Sequence, residues 1–170
     1  LLFQYAGMSF VDFAHLKERN IKNGILDYNR QKTGTPMRLE ILDTAELMRK
    51  ELMGDKKPAS GYLFPFLSGT KTGYEAYLEY NAALSRFNRN LKALKKAAGI
   101  ASDVTSYTIR HSFAMALKEQ NVPIEMISEL LGHKSIKTTQ IYLRSFSLEK
   151  MTEVNSTCFG CVYNYVSKVG

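Results

Sequence analysis

The chain has 170 residues, 45% hydrophobic and 23% charged, which is enough for one domain with its own apolar core and speaks against a disordered body. It contains no run of 18 apolar residues, and no charged segment leading into an apolar stretch and cleavage site opens it, so neither a membrane span nor a secretory leader is expected. The net charge of +7 favours a polyanionic partner, nucleic acid or an anionic membrane surface.

Leu1-Leu2-Phe3-Gln4-Tyr5 reads as the middle of a helix, as though the chain were part of a longer protein. Phe10, Phe13, Ala14 and Leu16 share a helical face, with Ser9 as N-cap. Asn20, Asn23 and Gly24 mark turns. Ile25–Arg30 and Met37–Leu42 follow as short strands around a Gly- and Pro-containing loop, a small antiparallel sheet. Asp43 or Thr44 caps a helix over Ala45–Met53, and a loop runs from Gly54 to Gly61. Tyr62–Pro65 is short and extended, and Gly69–Gly73 is a loop. Tyr77, Tyr80, Leu84, Phe87, Leu91 and Leu94 recur at helical spacing in a long helix over Glu75–Ala98, which Gly99 ends. Further helices are expected over Thr108–Gln120, Ile124–Leu131, Ser135–Tyr142 and Ser147–Val154. The fold class is therefore mainly α with a small antiparallel β-sheet, an α+β architecture.

Cys158 and Cys161 form a single Cys-Phe-Gly-Cys pair. It supplies half a zinc site with no second half, and no βαβ pattern accompanies it as a redox motif would, so the pair reads as incidental thiols in a tail.

Two segments carry chemistry. One is Thr108-Ile109-Arg110-His111-Ser112-Phe113-Ala114; the other runs from Leu130-Leu131-Gly132-His133 through Thr138-Thr139-Gln140-Ile141-Tyr142. A tyrosine phenol, with a pKa of about 10, becomes a usable nucleophile when positioned near cations. Arginine presents a planar fork to two phosphate oxygens and does not titrate. Lysine can protonate a leaving oxygen, and a histidine ring can donate to a phosphate oxygen. Taken singly, each residue has a plainer role. Tyr142 would be a half-buried helix-end tyrosine, His133 a helix cap, Arg110 a surface ion pair and Lys32 a solvated loop lysine. His111 reads as a structural, hydrogen-bonding histidine.

The joint spacing, with Tyr142 nine residues after His133, resembles the C-terminal half of the tyrosine recombinases, the phage integrase family. Gly7-Met8-Ser9-Phe10-Val11-Asp12 resembles that family's opening catalytic segment, and Tyr28-Asn29-Arg30-Gln31-Lys32-Thr33-Gly34 its β-hairpin, so the likeness covers about residues 1–155. The particular signature is similar to integrases of Bacteroides-type mobile elements. The resemblance implies a catalytic domain over 1–155 and a tail over 156–170. It implies Tyr142 as nucleophile, Arg110 and His133 as phosphate ligands, and Lys32 as the general acid. It also implies double-stranded DNA as substrate, four protomers on two duplexes, no metal or cofactor, no small-molecule ligand, and a bacterial cytoplasmic setting. An upstream DNA-binding domain is expected to precede the chain.

The sequence departs from the family at two places. Ser9 stands where the first catalytic arginine belongs, so Arg30 is expected to supply the missing cation, by i, i+2 alternation with Lys32, with Arg38 as the weaker candidate. Asp12 matches an acidic position that orients a cation or histidine, or else is a helix-surface carboxylate. Tyr107 stands where the family has histidine, and is either a phosphate donor or a packing residue. Competing readings are a type IB topoisomerase-like strand transferase, a non-catalytic DNA-binding relic and a regulatory interaction domain.

Overall fold

Ser9 opens the first helix: its side-chain oxygen accepts from the Asp12 amide, and α1 runs Phe10–His15. The computed structural model describes residues 1–54, 61–143, 151–152 and 156, with the side chain of Tyr142 outside that set. Leu1–Tyr5 is not mid-helix. Residues 2–7 are turns, because Ala6 and Gly7 take positive φ, 52° and 61°, and reverse the chain before a helix can propagate. At Gly7 a Cβ would lie 2.9 Å from Phe113, so this turn also lets the start of the chain approach a helix 100 residues away.

After a 3-10 turn at Glu18–Asn20 come three strands, β1 Ile21–Lys22, β2 Ile25–Asn29 and β3 Pro36–Glu40, antiparallel in the order β1-β2-β3. Leu26 pairs with Leu39 and Tyr28 with Met37, and their alternation buries Leu26, Tyr28 and Met37 while Asp27 and Arg38 face solvent. The two-residue β1 is too short to leave a periodic signal in the sequence. In the extended Tyr62–Pro65, Tyr62 bridges to Lys17 and the Leu63 amide donates to the Leu16 carbonyl at 2.7 Å.

Helix α2 runs Asp43–Met53, one turn-residue earlier than a side-chain cap would place it, since Leu42 occupies the cap position. Helix α3 runs Gly73–Ala97. Ala83 is buried and Tyr80, Leu84 and Phe87 pack on the main core, whereas Tyr77 and Leu94 are exposed. The expected stripe is longer than the surface available to cover it. The core is aromatic: Phe10 lies 4.7 Å from Phe87 and 5.2 Å from Phe66, and Phe13 lies 4.1 Å from Phe64, centroid to centroid. Such pairs contribute about 0.5–1.5 kcal/mol each beyond their burial.

Helix α4, Ser106–Glu119, starts at a reciprocal cap in which Thr105 and Thr108 bond each other's amides. Helices α5, Ile124–Leu130, and α6, Ile136–Tyr142, complete a second, much smaller apolar cluster of Ala114, Ile127 and Leu131. Among the described residues no helix is long and apolar enough to cross a membrane. The helix expected over 147–154 lies largely outside the described residues, and Cys158 and Cys161 lie wholly outside them.

Candidate active site

Arg110 sits in the second turn of α4, 4% exposed. A guanidinium carries five N–H donors and no acceptor, so burial obliges it to find oxygens. Nη1 donates to the Gly7 carbonyl at 2.9 Å, and Nη2 donates to the Leu131 carbonyl. Nη2 also lies 3.3 Å from His133 Nε2. Arg110 is thus no surface ion pair. It joins the turn before α1 to the turn after α5.

Arg30, 7% exposed, meets the same carbonyl from the other side. Its Nη1 donates to Leu131 O and Gly132 O, both at 3.0 Å, and its Nε to Asp12 Oδ2 at 3.3 Å. The strand-alternation argument for Arg30 and Lys32 does not hold: β2 ends at Asn29, and Arg30 begins a turn closed by bonds between Arg30 and Thr35 and between Gly34 and Arg30. The turn itself aims both residues at one space. Asp12, 2% exposed, is not a helix-surface carboxylate. Besides Arg30 it accepts from the Ser9 hydroxyl at 2.5 Å and the Gln31 amide at 2.7 Å. Ser9 therefore caps α1 and bonds Asp12 at the position where an arginine was expected.

Gly132 makes this convergence possible. Its φ is +62°, and a Cβ there would lie 2.6 Å from Arg30 Cδ and 2.5 Å from Met37 Sδ. The backbone thus comes within reach of the Arg30 guanidinium because no side chain intervenes.

His133 follows directly. Its Nδ1 lies 2.9 Å from Thr139 Oγ1. Burial, and then the nearby Arg110, Arg30 and Lys32 cations, push its pKa from the usual value down to about 4. The ring is therefore neutral near pH 7. Because a guanidinium can only donate, Nε2 carries the lone pair toward Arg110 and Nδ1 carries the proton.

These groups border one cavity of about 350 Å³, lined by Ser9, Arg30, Lys32, Tyr107, Arg110 and His133, with Ser135 and Thr138 from the start of α6. Lys32 is exposed in the hairpin turn. Tyr107 is 59% exposed at the edge of the cavity. Arg38 points to solvent from β3 and does not border the cavity. The backbone of Tyr142 closes α6, while its phenol lies outside the described residues. No residue pattern signals that the Leu131 carbonyl accepts from both arginines and the Gly7 carbonyl from Arg110. The sequence reading also leaves Thr139 unassigned, although the Thr-Thr pair just before Tyr142 is a visible signal.

A three-stranded antiparallel sheet beside a helical body is the fold seen in the tyrosine recombinases. Residues 1–149 match the Phage integrase family, and the chain belongs to that family. Tyrosine recombinase XerD of Lacticaseibacillus casei is 52% identical over 54 residues, 32% of this chain and 18% of that protein. The crystal structure of XerA recombinase superposes with a TM-score of 0.67 at 22% identity, over 92% of this chain and 54% of that one. XerH site-specific recombinase, bound to its palindromic difH substrate in a post-cleavage complex, gives a TM-score of 0.63 at 21% identity, over 91% and 42%. The chain thus spans only part of the length of each of these proteins.

Proposed function

We propose that the chain is the strand-cleaving and strand-joining domain of a site-specific DNA recombinase or integrase. The observation that carries this reading is the meeting of Arg30, Lys32, Tyr107, Arg110 and His133 at one cavity, which α6, the helix that ends in Tyr142, borders through Ser135 and Thr138. The chemistry follows from these groups. Arg110, Arg30 and His133 hold the scissile phosphate, with Tyr107 as a further hydrogen-bond donor and Asp12 orienting Arg30. The Tyr142 oxygen attacks phosphorus and forms a 3′-phosphotyrosyl ester. The bond to the 5′-oxygen breaks, and Lys32 gives that oxygen its proton. A 5′-hydroxyl of a partner strand reverses the step. The phosphoester is conserved throughout, so no nucleotide cofactor is consumed.

The substrate in this reading is double-stranded DNA. Four protomers act on two duplexes, residues 1–155 form the catalytic unit and 156–170 a tail, and the reaction takes place in the bacterial cytoplasm. XerH in a post-cleavage complex with its difH substrate, and the Tn1549 transposon integrase in complex with a circular intermediate DNA, support the substrate class. The test is a nicked suicide duplex that traps the covalent adduct. The wild-type chain is expected to accumulate the adduct and Tyr142→Phe to accumulate none. An adduct in Tyr142→Phe overturns the nucleophile. Salt-sensitive DNA binding without any wild-type adduct points instead to a DNA-binding relic.

A further inference from the structure

His133 has one nitrogen at the cavity and the other on the helix that ends in Tyr142. The link on the second side is Thr139, whose side chain is fully buried, at 0% exposure, one turn before Tyr142. Threonine is a poor helix former, and a buried hydroxyl without a partner is costly, so its place here calls for a specific bond. That bond is the 2.9 Å contact between Thr139 Oγ1 and His133 Nδ1. With Arg110 Nη2 donating toward Nε2, the proton of the neutral ring lies on Nδ1 and points at the threonine oxygen. In water, neutral imidazole favours the other arrangement, with the proton on Nε2.

We propose that Thr139 is a positioning residue for His133: its hydroxyl fixes the imidazole through Nδ1–H, leaving Nε2 as the one nitrogen that changes state when a phosphate oxygen enters the cavity. This rests on the reading of His133 as a phosphate ligand. An arriving phosphate brings negative charge that offsets Arg110, Arg30 and Lys32, with Lys134 also at the cavity edge. Nε2 then takes a proton from solvent and donates it to the phosphate oxygen, while Nδ1–H stays on Thr139. Since Thr139 rides on α6, the ring and the nucleophile move with one helix.

The test is nitrogen-15 NMR of labelled histidine in the intact chain. It has three histidines, and His133 is assigned by the signal lost in His133→Gln. Without DNA near neutral pH, the wild-type ring is expected to be protonated on Nδ1 with a bare Nε2. Thr139→Ser keeps this pattern, and Thr139→Val moves the proton to Nε2. A wild-type ring that is charged, or protonated on Nε2, overturns the proposal without any variant having to fold. An unchanged pattern in Thr139→Val overturns it as well. On the suicide duplex, Thr139→Val is expected to slow adduct formation about tenfold or more, the effect of losing a partner that orients a reacting group, while Thr139→Ser stays close to wild type and duplex affinity holds. Equal rates for Thr139→Val and wild type refute the link to cleavage. Absence of any wild-type adduct refutes the proposed function instead and leaves the NMR result to decide on Thr139.

Discussion

The two apolar clusters of this domain are built on different principles. The larger one, around α1, the sheet and α3, is held by bulk: Phe10, Phe13, Phe64, Phe66 and Phe87 pack ring against ring. The smaller one, under α4–α6, has among the described residues three buried apolar residues, Ala114, Ile127 and Leu131, with Phe113, Leu117, Val122 and Leu143 packed against them. Guanidinium bonds fasten the second to the first: Arg110 joins Gly7 to Leu131, and Arg30 joins Asp12 to Leu131 and Gly132. The residues that would bind phosphate are also the residues that fix the catalytic half in place. Where apolar area is scarce, directional bonds to buried carbonyls set geometry.

Substitutions in the two regions should separate these principles. The largest loss of stability is expected from Phe13→Ala, about 3–5 kcal/mol, the range for truncating a large buried aromatic. It is measured by denaturant unfolding, and the fraction that remains folded should cleave normally. Arg30→Met comes next. Breaking a buried ion pair costs about 3–5 kcal/mol, and the lower end applies because Ser9 and the Gln31 amide still hold Asp12. Adduct formation should fall about a hundredfold, the loss typical of one oriented donor. Adding Asp12→Asn should recover part of the stability and none of the activity.

A smaller effect is expected from pH. The folded state holds His133 neutral, with its pKa lowered to about 4, while the unfolded chain titrates near the usual value of about 6.5. Between those values the unfolded chain binds more protons. The stability contributed by this site is therefore complete above the upper value and declines as pH falls toward the lower one. His133→Gln should flatten the stability profile in that window, as read from thermal midpoints. The smallest effect belongs to Arg38→Ala. An exposed strand residue away from the cavity should change stability by no more than about 0.5 kcal/mol and leave adduct formation unchanged. A large activity loss there would return Arg38 to candidacy over Arg30.

The sequence made long-range chemistry legible and local geometry less so. Helices α3 to α6 were readable because their apolar periods and caps are local. The sheet was readable through its alternation and turn residues. The resemblance to the tyrosine recombinases pointed to Lys32, Tyr107, Arg110 and His133, with Arg30 added as the substitute cation, and the fold brings all five to one cavity. Strand alternation does not place Arg30, since a turn and not a strand face aims it. The turn over residues 2–7 was missed because positive φ at Ala6 has no signature in an apolar run. Backbone acceptors such as Leu131 O could not be found at all, because every residue has a carbonyl and tertiary contact alone distinguishes one from another.

One oxygen, that of Leu131, is hydrogen-bonded to both Arg30 and Arg110. Two positive charges contributed by different parts of the chain are thereby yoked to a single pivot at the turn between α5 and α6. Each guanidinium is also held from the opposite side, Arg110 by the Gly7 carbonyl and Arg30 by Asp12, so the spacing between the two cations is set by anchors at both ends. Leu131 thus serves twice, its side chain filling the small apolar cluster and its peptide oxygen setting the span that a ligand bridging the two cations would meet.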